Sequence, residues 1–127
     1  MKLRTNHNSI RIRLSQSNLK QFATEGKITE SVNFSLDPNN TLYYSLVTYP
    51  NEKVNVEFIN NHLTVFVPHA LAQQWTTTER VGFHEHLNIA NNQQLFVLIE
   101  KDFQCLDDRP YEDETDNFPN PNAGEAC

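Results

Sequence analysis

A shift of 53 residues lays one stretch of the chain on another without a gap. Leu3 then falls on Val56, Ile10 on Leu63, Ile12 on Val65 and Leu14 on Val67. Further along, Phe22 meets Trp75, Ile28 meets Val81, Phe34 meets Leu87 and Leu36 meets Ile89. Leu42, Tyr43, Tyr44 and Leu46 meet Leu95, Phe96, Val97 and Ile99. Identities are few, Gln21/Gln74 and Leu42/Leu95 among them, so the recurrence lies in the apolar positions and breakers. A register kept through a whole supersecondary unit marks a tandem repeat. It predicts a duplication, with repeats at 1–53 and 54–106, followed by a stretch of different character at 107–127.

Each repeat reads β-β-α-β-β. In the first, Lys2-Leu3-Arg4 and Ser9 to Leu14 flank Asn6-His7-Asn8, residues that tolerate the left-handed backbone of a turn. Ser15 offers an N-cap hydroxyl, Leu19, Phe22 and Ala23 make one apolar helical face, and Gly26 suits the residue after the helix. Lys27 to Phe34 alternates, and Asp37-Pro38-Asn39-Asn40 turns the chain into 42–47. In the second repeat, Asn55 to Ile59 and Leu63 to Val67 flank Asn60-Asn61, Pro68 suits a first helical turn, and Leu71 and Trp75 form the buried face. Val81 to Leu87 and Leu95 to Ile99 close the plan around Asn91-Asn92. Strands 42–47 and 95–99 are apolar on both faces, as central strands are. The expected fold is α+β: a curved antiparallel sheet, or a barrel, of about eight strands with two helices. From residue 9 the element order resembles that of the triphosphate tunnel enzymes, though Ile10-Arg11-Ile12-Arg13-Leu14 lacks the acidic strand that opens that family.

Charge is unevenly spread. Residues 1–53 hold seven Lys/Arg against four Asp/Glu, residues 54–106 two against five, and residues 107–127 one against seven. The net charge of −6 argues against nucleic acid as a partner. No apolar run approaches the ~18 residues of a membrane span. Met1 to Asn6 leads into alternation and not into a secretory h-region, so a cytoplasmic protein is expected. Two cysteines are too few for a disulfide scaffold. The prolines of 107–127 break helix and sheet, while Tyr111 and Phe118 give this acidic tail apolar groups with which to dock on the domain.

Glu100-Lys101-Asp102-Phe103-Gln104-Cys105-Leu106, then Phe118-Pro119-Asn120-Pro121 and Cys127, resemble a family of small uncharacterised bacterial proteins. Met1 to Arg4, Asn8 to Arg11 and Arg13-Leu14 fit it as well. The resemblance implies a bacterial, cytoplasmic protein whose tail belongs to the fold. It implies no activity, substrate or cofactor.

Four groups of residues could carry chemistry. Lys2, Arg4, Arg11 and Arg13 share one face of the first hairpin if Arg4 lies opposite Ser9, and four cations there call for an anion. Phosphate, an acidic partner, the protein's own tail or plain water would each satisfy them. His84 and His86 point the same way on a strand and could hold a metal with Cys105, His62 or Asp102. A polar wet face explains the two histidines equally simply. Glu30 and Glu85 share strand faces with apolar residues and need partners if those faces are buried. Cys105 and Cys127 could pin the tail by a bridge or a shared metal, or stay as thiols. No Gly-rich phosphate loop or Gly-x-Ser-x-Gly motif occurs, and no cofactor is expected. The expected function is a non-catalytic binding or interaction module, its partner a small anion, another protein or a second copy. An enzyme acting on a phosphorylated small molecule inside a tunnel is the alternative, and it requires a charged interior.

Overall fold

The computed structural model describes residues 1–104 and 111–120. It contains β1 (Lys2–Thr5), β2 (Ser9–Leu14), α1 (Gln16–Glu25), β3 (Lys27–Asn33) and β4 (Thr41–Tyr49). These are followed by β5 (Asn55–Ile59), β6 (His62–Pro68), α2 (His69–Thr77), β7 (Gly82–Asn88) and β8 (Gln94–Lys101). A 3-10 turn, Pro38–Asn40, precedes β4. The order ββαββ thus occurs twice. Shifted by 53 residues, β1, β2, α1 and β4 start where β5, β6, α2 and β8 start, and β3 overlaps β7.

Local chemistry accounts for the element boundaries. Ser15 and Asn18 form a reciprocal capping box at the start of α1. Gly26 ends it at φ +72°, its N–H donating to the Phe22 carbonyl at 2.8 Å. Asn60 and Asn61 both hold positive φ, which a two-residue hairpin with the right twist demands.

The strands form two sheets of four. Sheet A runs β1-β2-β8-β7 and sheet B runs β3-β4-β6-β5. This corrects the expectation of one curved sheet or a barrel: neither sheet closes on itself. Each half contributes one hairpin to each sheet, and its helix carries the chain across from one sheet to the other. The outer pairings are antiparallel, as expected, but the central ones, β2 with β8 and β4 with β6, are parallel. The first hairpin also pairs in a different register. Lys2 lies opposite Arg13 and Arg4 opposite Arg11. The reason is a two-residue turn: Asn6 and Ser9 exchange both backbone hydrogen bonds around His7-Asn8, so the strands meet one pair earlier.

A hydrophobic cluster draws on both sheets and both helices. Ile10, Ile12 and Leu14 of β2, Val97 and Ile99 of β8, Leu46 of β4 and Val65 and Val67 of β6 are all buried in it. Phe22 of α1 meets Trp75 of α2 edge-on at 6.1 Å, and Trp75 meets Phe83 of β7 the same way at 5.4 Å. The indole N–H donates to the Val81 carbonyl at 3.0 Å, so this fully buried ring keeps its polar atom satisfied. The charged interior that a tunnel enzyme needs is replaced here by packed aliphatic and aromatic groups.

Residues 111–120 lie against the start of α1 and the end of β8. Phe118 bridges in parallel to Phe103, its N–H donating to Asp102 O at 2.8 Å, and its ring packs on the core cluster. The Asp116 carbonyl accepts from Gln16 N at 2.9 Å, and its carboxylate accepts from Ser17 N and Ser17 Oγ. A carboxylate at a helix N-terminus satisfies free N–H groups and complements the helix dipole. The hydroxyls of Ser17 and then Ser15 hold the Asp116 carboxyl below the usual carboxylate range. The remainder of the expected tail, 107–110 and 121–127, lies outside the described residues.

Candidate functional site

The outer face of sheet A collects most of the residues singled out from sequence. Lys2, Arg4, Arg11 and Arg13 do share that face, because Leu3, Ile12 and Leu14 turn inward. They meet carboxylates there. Arg11 and Arg13 both donate from Nε to Glu100 Oε1, at 2.6 and 2.8 Å. Lys2 Nζ lies 2.8 Å from Asp102 Oδ2 and 3.5 Å from Glu112 Oε2. Arg4 makes no ion pair among the described residues. Glu100 stands directly opposite Arg13 across the parallel pair, and nothing in linear spacing couples the two.

His84 and His86 project from β7 on the same outer face, with ring centroids 6.1 Å apart. Both flank Phe96, at 5.8 and 4.9 Å. Among the described residues no group of three His, Cys, Asp or Glu is placed to hold a metal. His62 belongs to sheet B, Asp102 is engaged by Lys2, and Cys105 lies outside the described residues, as does Cys127.

The two inward carboxylates differ. Glu30 accepts from the Met1 amino group at 2.7 Å and from Tyr44 Oη at 3.2 Å. Burial first, and then the charge of Glu30 and its hydrogen bond, push the Tyr44 phenol up to about 12. Glu85 sits in sheet A opposite Val97, away from Glu30, so the two do not form an acid–base pair. Lys101 is likewise turned into the protein. Its ammonium donates to Thr78 O at 2.7 Å and lies 5.6 Å from the Phe118 ring centroid. Burial pushes it below its usual range, against the opposing pull of Glu79.

Two features escaped the linear reading. On sheet B, Ser45 Oγ lies 2.6 Å from His62 Nε2 and 2.6 Å from Thr29 Oγ1. Ser45 is only 1 % exposed, so its hydroxyl ties strands together and cannot reach a substrate. The second feature is larger. At the end of sheet B where β3 and β5 stop and β4 and β6 begin, apolar side chains stand in solvent. Phe34 is 69 % exposed, Leu36 fully exposed and Phe58 63 %, and Val32, Tyr43 and Ile59 join them. The pairings Val32–Leu42, Tyr43–His62, Ile59–His62 and Phe58–Leu63 place these side chains round the same sheet end. The signal was present in the 53-residue alignment: Phe58 and Ile59 fall on Thr5 and Asn6.

The opposite end of sheet B opens on a cleft of about 820 Å³ lined by Tyr49, Lys53, Asn55, His69 and Leu87. It lies at the start of α2, where Pro68 provides no side-chain cap. Among the described residues no helix is long and apolar enough to cross a membrane. Neither a curated protein nor a solved structure matches the chain. A family model does match, over residues 1–122, and its description is a family of unknown function (DUF7009).

Proposed function

The chain belongs to this family of unknown function, DUF7009, and we propose that it works as a non-catalytic interaction module whose contact surface is the apolar end of sheet B. The observation that carries this reading is the exposure of Val32, Phe34, Leu36, Tyr43, Phe58 and Ile59 together. Val32 and Phe58 stand on the core-facing side of this sheet end, paired with Leu42 and Leu63, while Tyr43 and Ile59 stand on the other side around His62. Apolar surface thus wraps the end, and exposed apolar patches mark interaction sites. The duplicated plan, 1–53 and 54–106, with residues 111–120 lying against α1 and β8, serves as the scaffold of one domain. The basic hairpin contributes mainly to that scaffold, since Glu100, Asp102 and Glu112 answer three of its four cations.

A contact surface, unlike a core, can be made polar without cost to the fold. Leu36→Ser and Phe58→Ser at about 1 µM protein are expected to change stability by no more than ~0.5 kcal/mol each. Losses of ~2 kcal/mol or more in urea denaturation would show that these side chains support the fold and overturn the reading. A small anion at Lys2, Arg4, Arg11 and Arg13 is the second reading. It is favoured by Arg4, which stands opposite Arg11 without an ion pair among the described residues. A rise in melting temperature with phosphate, lost in Arg4→Ala, is its expected sign.

A further inference from the structure

We infer that the occupant of the apolar end of sheet B is a second copy of this chain, packed end to end about a two-fold axis; this rests on the reading of that end as a contact surface. Three observations favour a copy over a foreign partner.

The first is placement. The exposed side chains stand on both faces of one sheet end, Val32 and Phe58 on one and Tyr43 and Ile59 on the other, so a copy set end to end covers both where a partner lying on one face does not. The second is charge. A chain of net charge −6 repels its copy wherever charges meet, yet this end has few, Asp37 and, beside Phe58, Glu57. Residues 31–36 and 58–63 hold no Lys, Arg, Asp or Glu, and Asp37 stands alone among residues 31–51. The third is the rim. Asn33, Asn39, Asn40, Asn60 and Asn61 neighbour the apolar side chains in sequence, and backbone hydrogen bonds set Asn40 against Phe34 and Asn61 against Tyr43. Asn61 Nδ2 already donates to Asn39 O, joining the two loops into one border. A carboxamide both donates and accepts, so a ring of amides is complementary to itself. A two-fold interface sets the same patch against itself and requires that property. A rim of one charge sign would forbid it.

The test is the mass of the full chain by sedimentation equilibrium from about 1 to 100 µM, a range that brackets micromolar association. The expected result is a dimer of the 14.7 kDa chain at the upper end. Phe58→Asp and Leu36→Asp are each expected to weaken it at least ten-fold. Ile89→Asp, at the corresponding place in sheet A, should leave it intact. Leu36 is fully exposed, so its variant stays informative if Phe58→Asp fails to fold. A wild-type chain that remains monomeric at the highest concentration overturns the inference, as does a dimer indifferent to both substitutions. Either result leaves the contact-surface reading standing, because that reading is decided by the stability of the Ser variants in the monomer.

Discussion

The two sheets end differently at corresponding places. Where sheet B carries Val32, Phe58 and Ile59, positions 53 residues away in sheet A carry Glu85, Thr5 and Asn6. Where sheet B exposes Phe34, sheet A has Leu87, half-buried and packed on the core. Both ends are built from the same hairpins in the same sheet order, so strand pairing cannot account for the difference. The lesson is that the fold accepts polar residues at this end. On the contact-surface reading proposed above, the exposed apolar side chains of sheet B answer a demand outside the monomer's own packing, while the partly buried Leu87 answers one inside it.

The severest challenge to that contrast lies at the other end of sheet A. There residues 111–120 cover the strand ends through Phe118 and satisfy α1 through Asp116. A chain ending at Leu106 loses both, and its stability is expected to fall by about 3–5 kcal/mol, read from thermal melting. An unchanged melting temperature would mean that sheet A needs no covering there. Next comes the direct swap between the two ends. Leu87→Asp should cost about 3 kcal/mol and Phe34→Asp about 0.5 or less in urea denaturation. Equal costs would erase the distinction drawn here.

The smallest effect reports where water stops. Tyr44 lies in the row Glu30–Tyr44–Leu63–Phe58, at the boundary between the open end of sheet B and the core. Its phenol holds its proton to about pH 12 in the folded chain, against an ordinary value of 10.0. Above pH 10 the unfolded chain gives up this proton and the folded chain keeps it. Stability is therefore lost as pH rises from about 10 to 12, by roughly 2–3 kcal/mol from this group. Tyr44→Phe should remove that slope, measured by urea denaturation across the range. A wild-type chain with no such slope would place water deeper in the sheet end than the packing implies.

Much of the local plan was readable because its causes are local. The Asn pairs at the turns, the Ser15 cap, Gly26 and the apolar stripe of α1 each act within a few residues. What could not be read depends on neighbours far along the chain. Alternation places Ile10, Ile12 and Leu14 on one face in a parallel or an antiparallel pair alike, so the direction of β2 against β8 was open. Glu100 became the partner of Arg11 and Arg13 only through that parallel pairing. The faces of the basic hairpin were legible, but its register turned on which two residues make the loop, Asn6-His7 or His7-Asn8. Exposure at the end of sheet B depends on what covers it, and a list of apolar positions treats Leu36 and Leu46 alike.

The parallel pairs also set an order of events during synthesis. In sheet B, Tyr43 meets His62, and its strands leave the ribosome almost together. In sheet A, Ser9 must wait for Phe96. At ordinary elongation rates that delay is on the order of 10 s. For that interval the β1–β2 hairpin exists without its central partner, and a lone hairpin is marginal in water. All four strands of sheet B are thus available for pairing while Ile10, Ile12 and Leu14 still lack the strand that will cover their edge. Contacts of such long range slow folding, and here the delay falls on sheet A alone.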